Sequence, residues 1–210
     1  MPSTQAVNRP QEAVTVAKRY LRRERLLSAL VVVIVVIVFI STFVVISLVP
    51  AVVVGALLTV AARVPIIKPN GTVQLRTNED SDSVVKSLTG PTPPVLVFQW
   101  GIADDITTRD KMVTYRLSYL FGLRSVEVTV NTQINQVPGE DRQVELELRV
   151  GDQPWSTYVV TVGTQNGQTI VEYEYTADRR FGLRRIPQRI IANRYRDEAL
   201  ESQGYVPVKR

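Results

Sequence analysis

Gln143-Val144-Glu145-Leu146-Glu147-Leu148-Arg149-Val150 alternates polar and apolar side chains over eight residues. Successive side chains of a strand point to opposite faces, so Val144, Leu146, Leu148 and Val150 face a core while Gln143, Glu145, Glu147 and Arg149 face water. Turn residues bound the strand, with Pro138-Gly139-Glu140-Asp141 before it and Gly151-Asp152 after it. Upstream, residues 124–136 alternate Val126, Val128 and Val130, and residues 112–120 alternate Val113, Tyr115, Leu117 and Tyr119. Residues 95–100 are mostly apolar and read as one more strand. Downstream, residues 155–162 and 169–176 read as strands flanking Asn166-Gly167, a pair that tolerates the positive φ of a tight hairpin turn.

Residues 72–77 supply a first strand, set apart from the others by a short helix. Asn78-Glu79-Asp80-Ser81-Asp82 provides its cap and acidic first turn, Val84, Val85 and Leu88 its apolar face, and Gly90-Pro91-Thr92-Pro93-Pro94 its end. From residue 186 to 203 the spacing becomes helical, with Ile190, Ile191, Tyr195 and Ala199 on one side and Gly204 as the stop. The order is strand, short helix, six antiparallel strands, long helix. Twist makes such a meander curl, and the terminal amphipathic helix can cover its concave face. The expected class is α+β with a curved antiparallel sheet, a helix-grip arrangement.

This element order, over residues 72–204, resembles the SRPBCC superfamily, which includes lipid-transfer START domains, polyketide cyclase-like proteins and the birch pollen allergen fold. Val84-Val85-Lys86-Ser87-Leu88-Thr89-Gly90-Pro91, followed by Trp100, looks like the opening helix, exit turn and next strand of that group. Most members carry two short helices between the first two strands, whereas residues 80–94 have room for one with a proline-rich remnant. The resemblance implies an apolar cavity between sheet and terminal helix, and no catalytic residue carries over from it.

Upstream of the domain lies a different solvent. Residues 26–62 are 37 consecutive positions without Asp, Glu, Lys or Arg, against the roughly 20 that a helix needs to cross a bilayer. Secretory signals have shorter apolar cores of about 7 to 15 residues, so this run reads as a retained anchor. As one helix it would extend about 55 Å, nearly twice a hydrocarbon core of about 30 Å. Ser47-Leu48-Val49-Pro50 offers a cap and a first-turn proline, which divides the run into helices over about 26–46 and 50–67 within a transmembrane region 26–67. Residues 1–25 carry six basic and two acidic side chains, most of them in Lys18-Arg19-Tyr20-Leu21-Arg22-Arg23-Glu24-Arg25 against the run, which puts the N-terminus in the cytoplasm. With two spans the domain is cytoplasmic too. A single span to about residue 49 would instead put the domain outside. Residues 68–71 form a linker and 205–210 a tail.

The chain has no Cys and no His, so disulfides, thiolate nucleophiles, His-based triads and His-based metal sites are excluded. From Arg63 onward 19 basic and 18 acidic residues nearly balance, so the net charge of +5 comes mostly from the N-terminal lead. No catalytic residue, metal or cofactor is assigned. Candidate cavity residues are Trp100, Tyr115, Leu117, Tyr119, Leu146, Leu148, Trp155, Tyr158, Tyr173 and Tyr175 (with Val128), which mix apolar bulk with hydroxyls as ligand pockets do. They could equally fill a core. Asp104 and Asp105 are strand neighbours that point apart, and Glu172 and Glu174 read as a wet face.

Arg179, Arg180, Arg184, Arg185 and Arg189, with Phe181, Leu183 and Ile186 between them, suit anionic head groups, or else pair with Asp178, Asp197 and Glu198. With one aromatic ring in the stretch, nucleic acid is the weaker partner. The expected function is binding or transfer of a lipid or other apolar small molecule at the membrane surface. The alternatives are an interaction or assembly module contacting another membrane protein, and, less favoured, a cyclase-like enzyme using Tyr and Asp.

Overall fold

The computed structural model describes residues 7–109, 112–119, 123–136, 141–178, 180–182 and 186–209. The chain is α+β, with a long apolar helix near the N-terminus, a curved eight-stranded antiparallel sheet and a helix near the C-terminus. Helix α1 (Gln11–Val45) starts about four turns earlier than the apolar run does. Packing explains this. Ala13, Val14, Val16 and Ala17 recur at helical spacing and are buried, whereas Thr15, Lys18 and Arg19 between and beyond them are exposed. The basic lead is therefore an amphipathic half-helix that packs on the domain, continuous with an apolar half whose side chains are largely exposed. Among the described residues α1 is the helix long and apolar enough to cross a membrane.

Extended backbone at Ser47 separates α1 from α2 (Leu48–Arg63), where Pro50 falls in the first turn, as its missing N–H permits. The two helices lie side by side, with the Cβ position of Gly55 3.2 Å from Phe39 Cδ2. The second helix ends earlier than the expected residue 67. Pro65 cannot continue it and pushes Val64 to an extended ψ of 121°, so Pro65–Ile67 becomes strand β1.

Strand β2 (Asn70–Thr77) absorbs half of the expected linker, and α3 (Ser81–Thr89) follows with Asp80 as its cap. Residues 95–100 are not a strand. Pro94–Leu96 forms a 3₁₀ turn and α4 (Val97–Trp100) a single helical turn, because Pro94 presets the first helical position after the extended Pro93 and a short apolar run has no period of its own. The sixth meander strand moves to β3 (Asp105–Arg109), and β4 (Met112–Tyr119), β5 (Arg124–Gln136), β6 (Arg142–Val150), β7 (Gln153–Gln165) and β8 (Gln168–Ala177) follow as expected. The β7–β8 hairpin turns on Asn166 and Gly167, both at positive φ. Strand β9 (Phe181–Gly182) pairs with β1, and α5 (Ile186–Glu201) precedes β10 (Val206–Lys209). The expected tail is thus an edge strand on β2, held by buried Tyr205.

The sheet order is β10-β2-β8-β7-β6-β5-β4-β3. Strand β8 returns beside β2 in continuous register from Asn70 opposite Thr176 to Thr77 opposite Thr169. The inward residues Leu75, Tyr115, Val130, Val144, Leu146, Leu148, Val160 and Tyr173 form one core with Val84, Leu88, Leu96 and Trp100. Trp100 is fully buried and its Nε1 donates to the Pro93 carbonyl at 2.8 Å.

The lead of α1 closes over this assembly. Arg9 Nη1 donates to the Ala103 carbonyl at 2.7 Å, Tyr20 stacks on Phe98 with centroids 4.5 Å apart, and Arg19 pairs with Glu198 at 2.6 Å. A Cβ on Gly101 would lie 2.7 Å from the Ala17 Cβ and 2.5 Å from the Val97 carbonyl oxygen. Gly101→Val should therefore cost about 1–3 kcal/mol by overpacking. A lowered thermal midpoint in detergent and early protease cleavage within residues 7–25 are the expected readouts. A variant as resistant as the parent would refute the α1–α4 contact.

The Asp80 cap has a pH signature. Its Oδ1 accepts from the Ser83 backbone N–H and its Oδ2 from the Ser83 hydroxyl, both at 2.8 Å, and these bonds hold the carboxyl below the usual carboxylate range. A folded value below the unfolded one gives stability that is present above the unfolded pKa and lost as pH falls through the folded one. Asp80→Ala should lower the thermal midpoint at pH 7, with the difference shrinking below about pH 4.

Candidate functional site

The ten residues expected to line a cavity divide into two groups. Trp100, Tyr115, Leu117, Leu146 and Leu148 are buried in the closed core under α3 and α4, with Val128 beside them. Tyr119 is 41% exposed, because β4 has passed the rim of the covered face by that residue. Tyr158 and Tyr173 are buried and Tyr175 and Trp155 partly buried toward the opposite end of the sheet. There the polar chemistry gathers.

Strand register builds the tyrosine group. Tyr158 on β7 is paired directly with Tyr175 on β8, and Tyr173 lies two residues back on the same face. The Tyr158 and Tyr175 rings stack with centroids 6.1 Å apart, and Tyr173 lies tilted 6.4 Å from Tyr158. Tyr175 rests over Gly71 on the neighbouring strand, where a Cβ would come within 2.9 Å of the ring. Gly71 is therefore the seat of this aromatic rather than a linker residue.

Arg196 comes down on this group from α5. Ala199 and Leu200, three and four residues on, are fully buried, so Arg196 belongs to the inward stripe of the helix. Its guanidinium carbon lies 5.3 Å from the centroid of the Tyr175 ring, and the phenols of Tyr158 and Tyr173 are its other neighbours. Gln99 of α4 hydrogen-bonds Tyr158. Burial raises the Tyr158 phenol above its usual value, an effect that nearby Arg196 opposes. Among the described residues no carboxylate forms an ion pair with Arg196, whereas Arg19, Arg116, Arg142 and Arg149 all pair with carboxylates on the surface. Arg196, Gln99 and Gly71 were not singled out from the sequence. The signal for Arg196 was its spacing, since an apolar stripe drawn back from Ala199 and Leu200 includes it.

The remaining expectations fall as follows. Arg180 is exposed, Arg179, Arg184 and Arg185 lie outside the described residues, and Arg189 belongs to α5 with no description of its side chain. Asp104 Oδ2 accepts from the Ser118 backbone N–H at 2.8 Å and Asp105 opens β3, so both acids serve the sheet edge. Glu172 and Glu174 are exposed as expected. Among the described residues no group of acids is placed to hold a metal. Two open grooves lie away from these residues. One of about 550 Å³ runs between α1 and α2 along Val35, Phe39, Gly55 and Thr59, and one of about 770 Å³ borders Arg9, Lys18 and Asp104.

No family model matches the sequence, and no curated protein matches it. Among solved structures, the Mll3558 protein of Rhizobium loti is similar over 65% of this chain and 97% of its own, at 20% identity and a TM-score of 0.42. A conserved protein of Geobacillus kaustophilus covers 67% and 100% at 10% identity and 0.41, and an uncharacterized protein of Rhizobium leguminosarum 65% and 96% at 14% and 0.34.

Tyr115 is raised by burial as well, and its hydroxyl donates to the Pro91 carbonyl at 3.0 Å. A folded phenol pKa above the unfolded value contributes stability that is full below the unfolded pKa and lost as pH rises through the folded one. Stability should therefore decline above about pH 10. In a spectrophotometric titration Tyr115→Phe and Tyr158→Phe should each remove a late-ionising phenol; early ionisation of all eight tyrosines would contradict their burial.

Proposed function

We propose that this chain is a helix-grip domain of the SRPBCC kind, held at the cytoplasmic membrane face by two transmembrane helices, which binds or passes on a lipid or other apolar small molecule. Its support begins with topology. The strand order places the first long strand beside the last of a six-strand meander and brings α5 to the inward face at Arg196, as the family resemblance implies. The basic lead of α1 is docked on the domain, which supports a reading in which N-terminus and domain share a side of the membrane. An even number of crossings follows, and α1 and α2 supply two. Residues 26–45 extend about 30 Å and the sixteen of α2 about 24 Å. The shorter span is accommodated by local thinning of the bilayer. The β1–β9 ribbon then falls at the head-group level, with exposed Arg180 flanking it and Arg179 adjacent in sequence.

The observation that carries the ligand reading is the seam beneath α5, where Trp155, Tyr158, Tyr173 and Tyr175 present apolar rings with hydroxyls beside one inward arginine. A mostly apolar wall with a few convergent polar groups is the composition of a small-molecule site. On this reading the ligand lies in the seam, since the half of the core under α3 and α4 is filled by buried side chains. Assembly with another membrane protein is the second reading, favoured by the edge strand β10, whose Val206 and Val208 are exposed.

Two measurements test the proposal. A single cysteine at Glu201, in a chain with no other thiol, should resist an impermeant maleimide in intact cells and react after lysis; labelling of intact cells would overturn the two-span topology. Native mass spectrometry of the full chain released from mild detergent should show a bound lipid or metabolite. A bare mass that added lipids do not change would move the balance to the assembly reading.

A further inference from the structure

We propose that the ligand of the seam carries an anionic group, a carboxylate or a phosphate, which Arg196 receives beneath α5; this rests on the carrier reading above. Arg196 stands on the inward stripe of its helix, over Tyr175 and beside Tyr158 and Tyr173. Guanidinium is a five-donor group without an acceptor; the Tyr175 hydroxyl accepts from it, and each phenol brings one donor beside its own acceptor oxygen, so the guanidinium is left with donors to spare. The seam thus holds an excess of donors and a positive charge that no described carboxylate balances. Arg196 is partly buried; withdrawing even part of an ionised group from water is costly unless it is paired, and the ring face of Tyr175 offsets only part of that cost. An anion with two or three oxygens answers both the charge and the donor surplus, because guanidinium and carboxylate or phosphate match as forks.

Position gives the second argument. The two helices α1 and α5 run antiparallel: Arg19 meets Glu198, and Arg23 lies over Tyr195, 5.8 Å from its ring. Arg23 is three residues, about 4.5 Å along the helix, from the start of the uncharged run at Leu26. Tyr195 is therefore at the depth where lipid head groups begin, and Arg196 is its neighbour in the chain. A ligand held there by its anionic end keeps its charge near the interface and its apolar body against the tyrosine rings. The shared chemistry of a fatty acid and a simple anionic phospholipid fits this arrangement, and a neutral alcohol of the same chain does not.

The test uses the full chain in mild detergent and native mass spectrometry, with palmitate, palmitoyl lysophosphatidate, hexadecanol and palmitoyl lysophosphatidylcholine as probes. Palmitate, lysophosphatidate or both should bind at least about tenfold more tightly than hexadecanol and the zwitterion. Preference for palmitate identifies a fatty acid as the source, and preference for lysophosphatidate a phospholipid. Arg196→Met should lose that preference, and Arg196→Lys should retain part of it. The comparison among probes on the unaltered protein decides the matter even where a variant fails to fold. Hexadecanol binding as tightly as both anions, or an Arg196→Met protein that keeps the preference, overturns the assignment to Arg196 and leaves the carrier reading standing. No binding of any probe, and no co-purifying mass, overturns the carrier reading itself.

Discussion

The close approach of Ala17 to Gly101 is the contact on which the arrangement of this molecule depends. Two residues without bulk let the N-terminal half of α1 lie directly on the single turn of α4, and Ala13, Val14 and Val16 extend the contact. Once that face is buried, helix continuity carries the constraint onward, because α1 runs unbroken from the domain surface into its apolar half. The long apolar segment and the folded domain are therefore joined at two points, by the lead of α1 and by the β1–β9 ribbon after α2. A domain tethered at one end swings freely, whereas this one has its α5 held alongside the basic lead.

That same constraint gives α5 its two faces. Tyr195, itself buried, and Glu198 meet Tyr20, Arg23 and Arg19 of α1, while Ala199 and Leu200 face the sheet and Arg196 goes with them. Placing an arginine on the inward stripe runs against the usual preference for apolar residues there. Arg116 and Arg142 answer their charge with Glu127 and Asp82, and Arg196 has tyrosines instead. Departures from local consistency tend to occur where a protein does something other than fold, which is why this seam stands out from the closed core.

Much of the meander was legible in the sequence because period-two patterning depends on the two faces of a sheet and not on what covers them. The strands from Met112 to Ala177 follow it closely, as does the Asn166-Gly167 hairpin. Failures occurred where a local pattern had no period. Residues 95–100 are apolar but for Gln99, so their helical turn was decided by Pro94 and by the burial of Trp100 against Pro93. Val64 and Pro65 were taken into the second helix on hydropathy, although proline chemistry ends it there. Tyr119 shares the alternation of Tyr115 and Leu117 and yet emerges into solvent, since alternation cannot say where the covering layer stops.

Composition and periodicity by themselves determined the class of the protein. An uncharged run long enough for a bilayer, a basic flank, an antiparallel meander and a terminal helix are properties of chain segments, each set by local solvent preference or local geometry. Tertiary structure alone decided that the basic lead is part of the domain surface, that Gly71 seats Tyr175, and that Arg196 meets three tyrosines from two strands. Those relations join residues more than twenty positions apart, and over a hundred in the case of Gly71 and Tyr175. They arise from register and packing, which no single segment encodes.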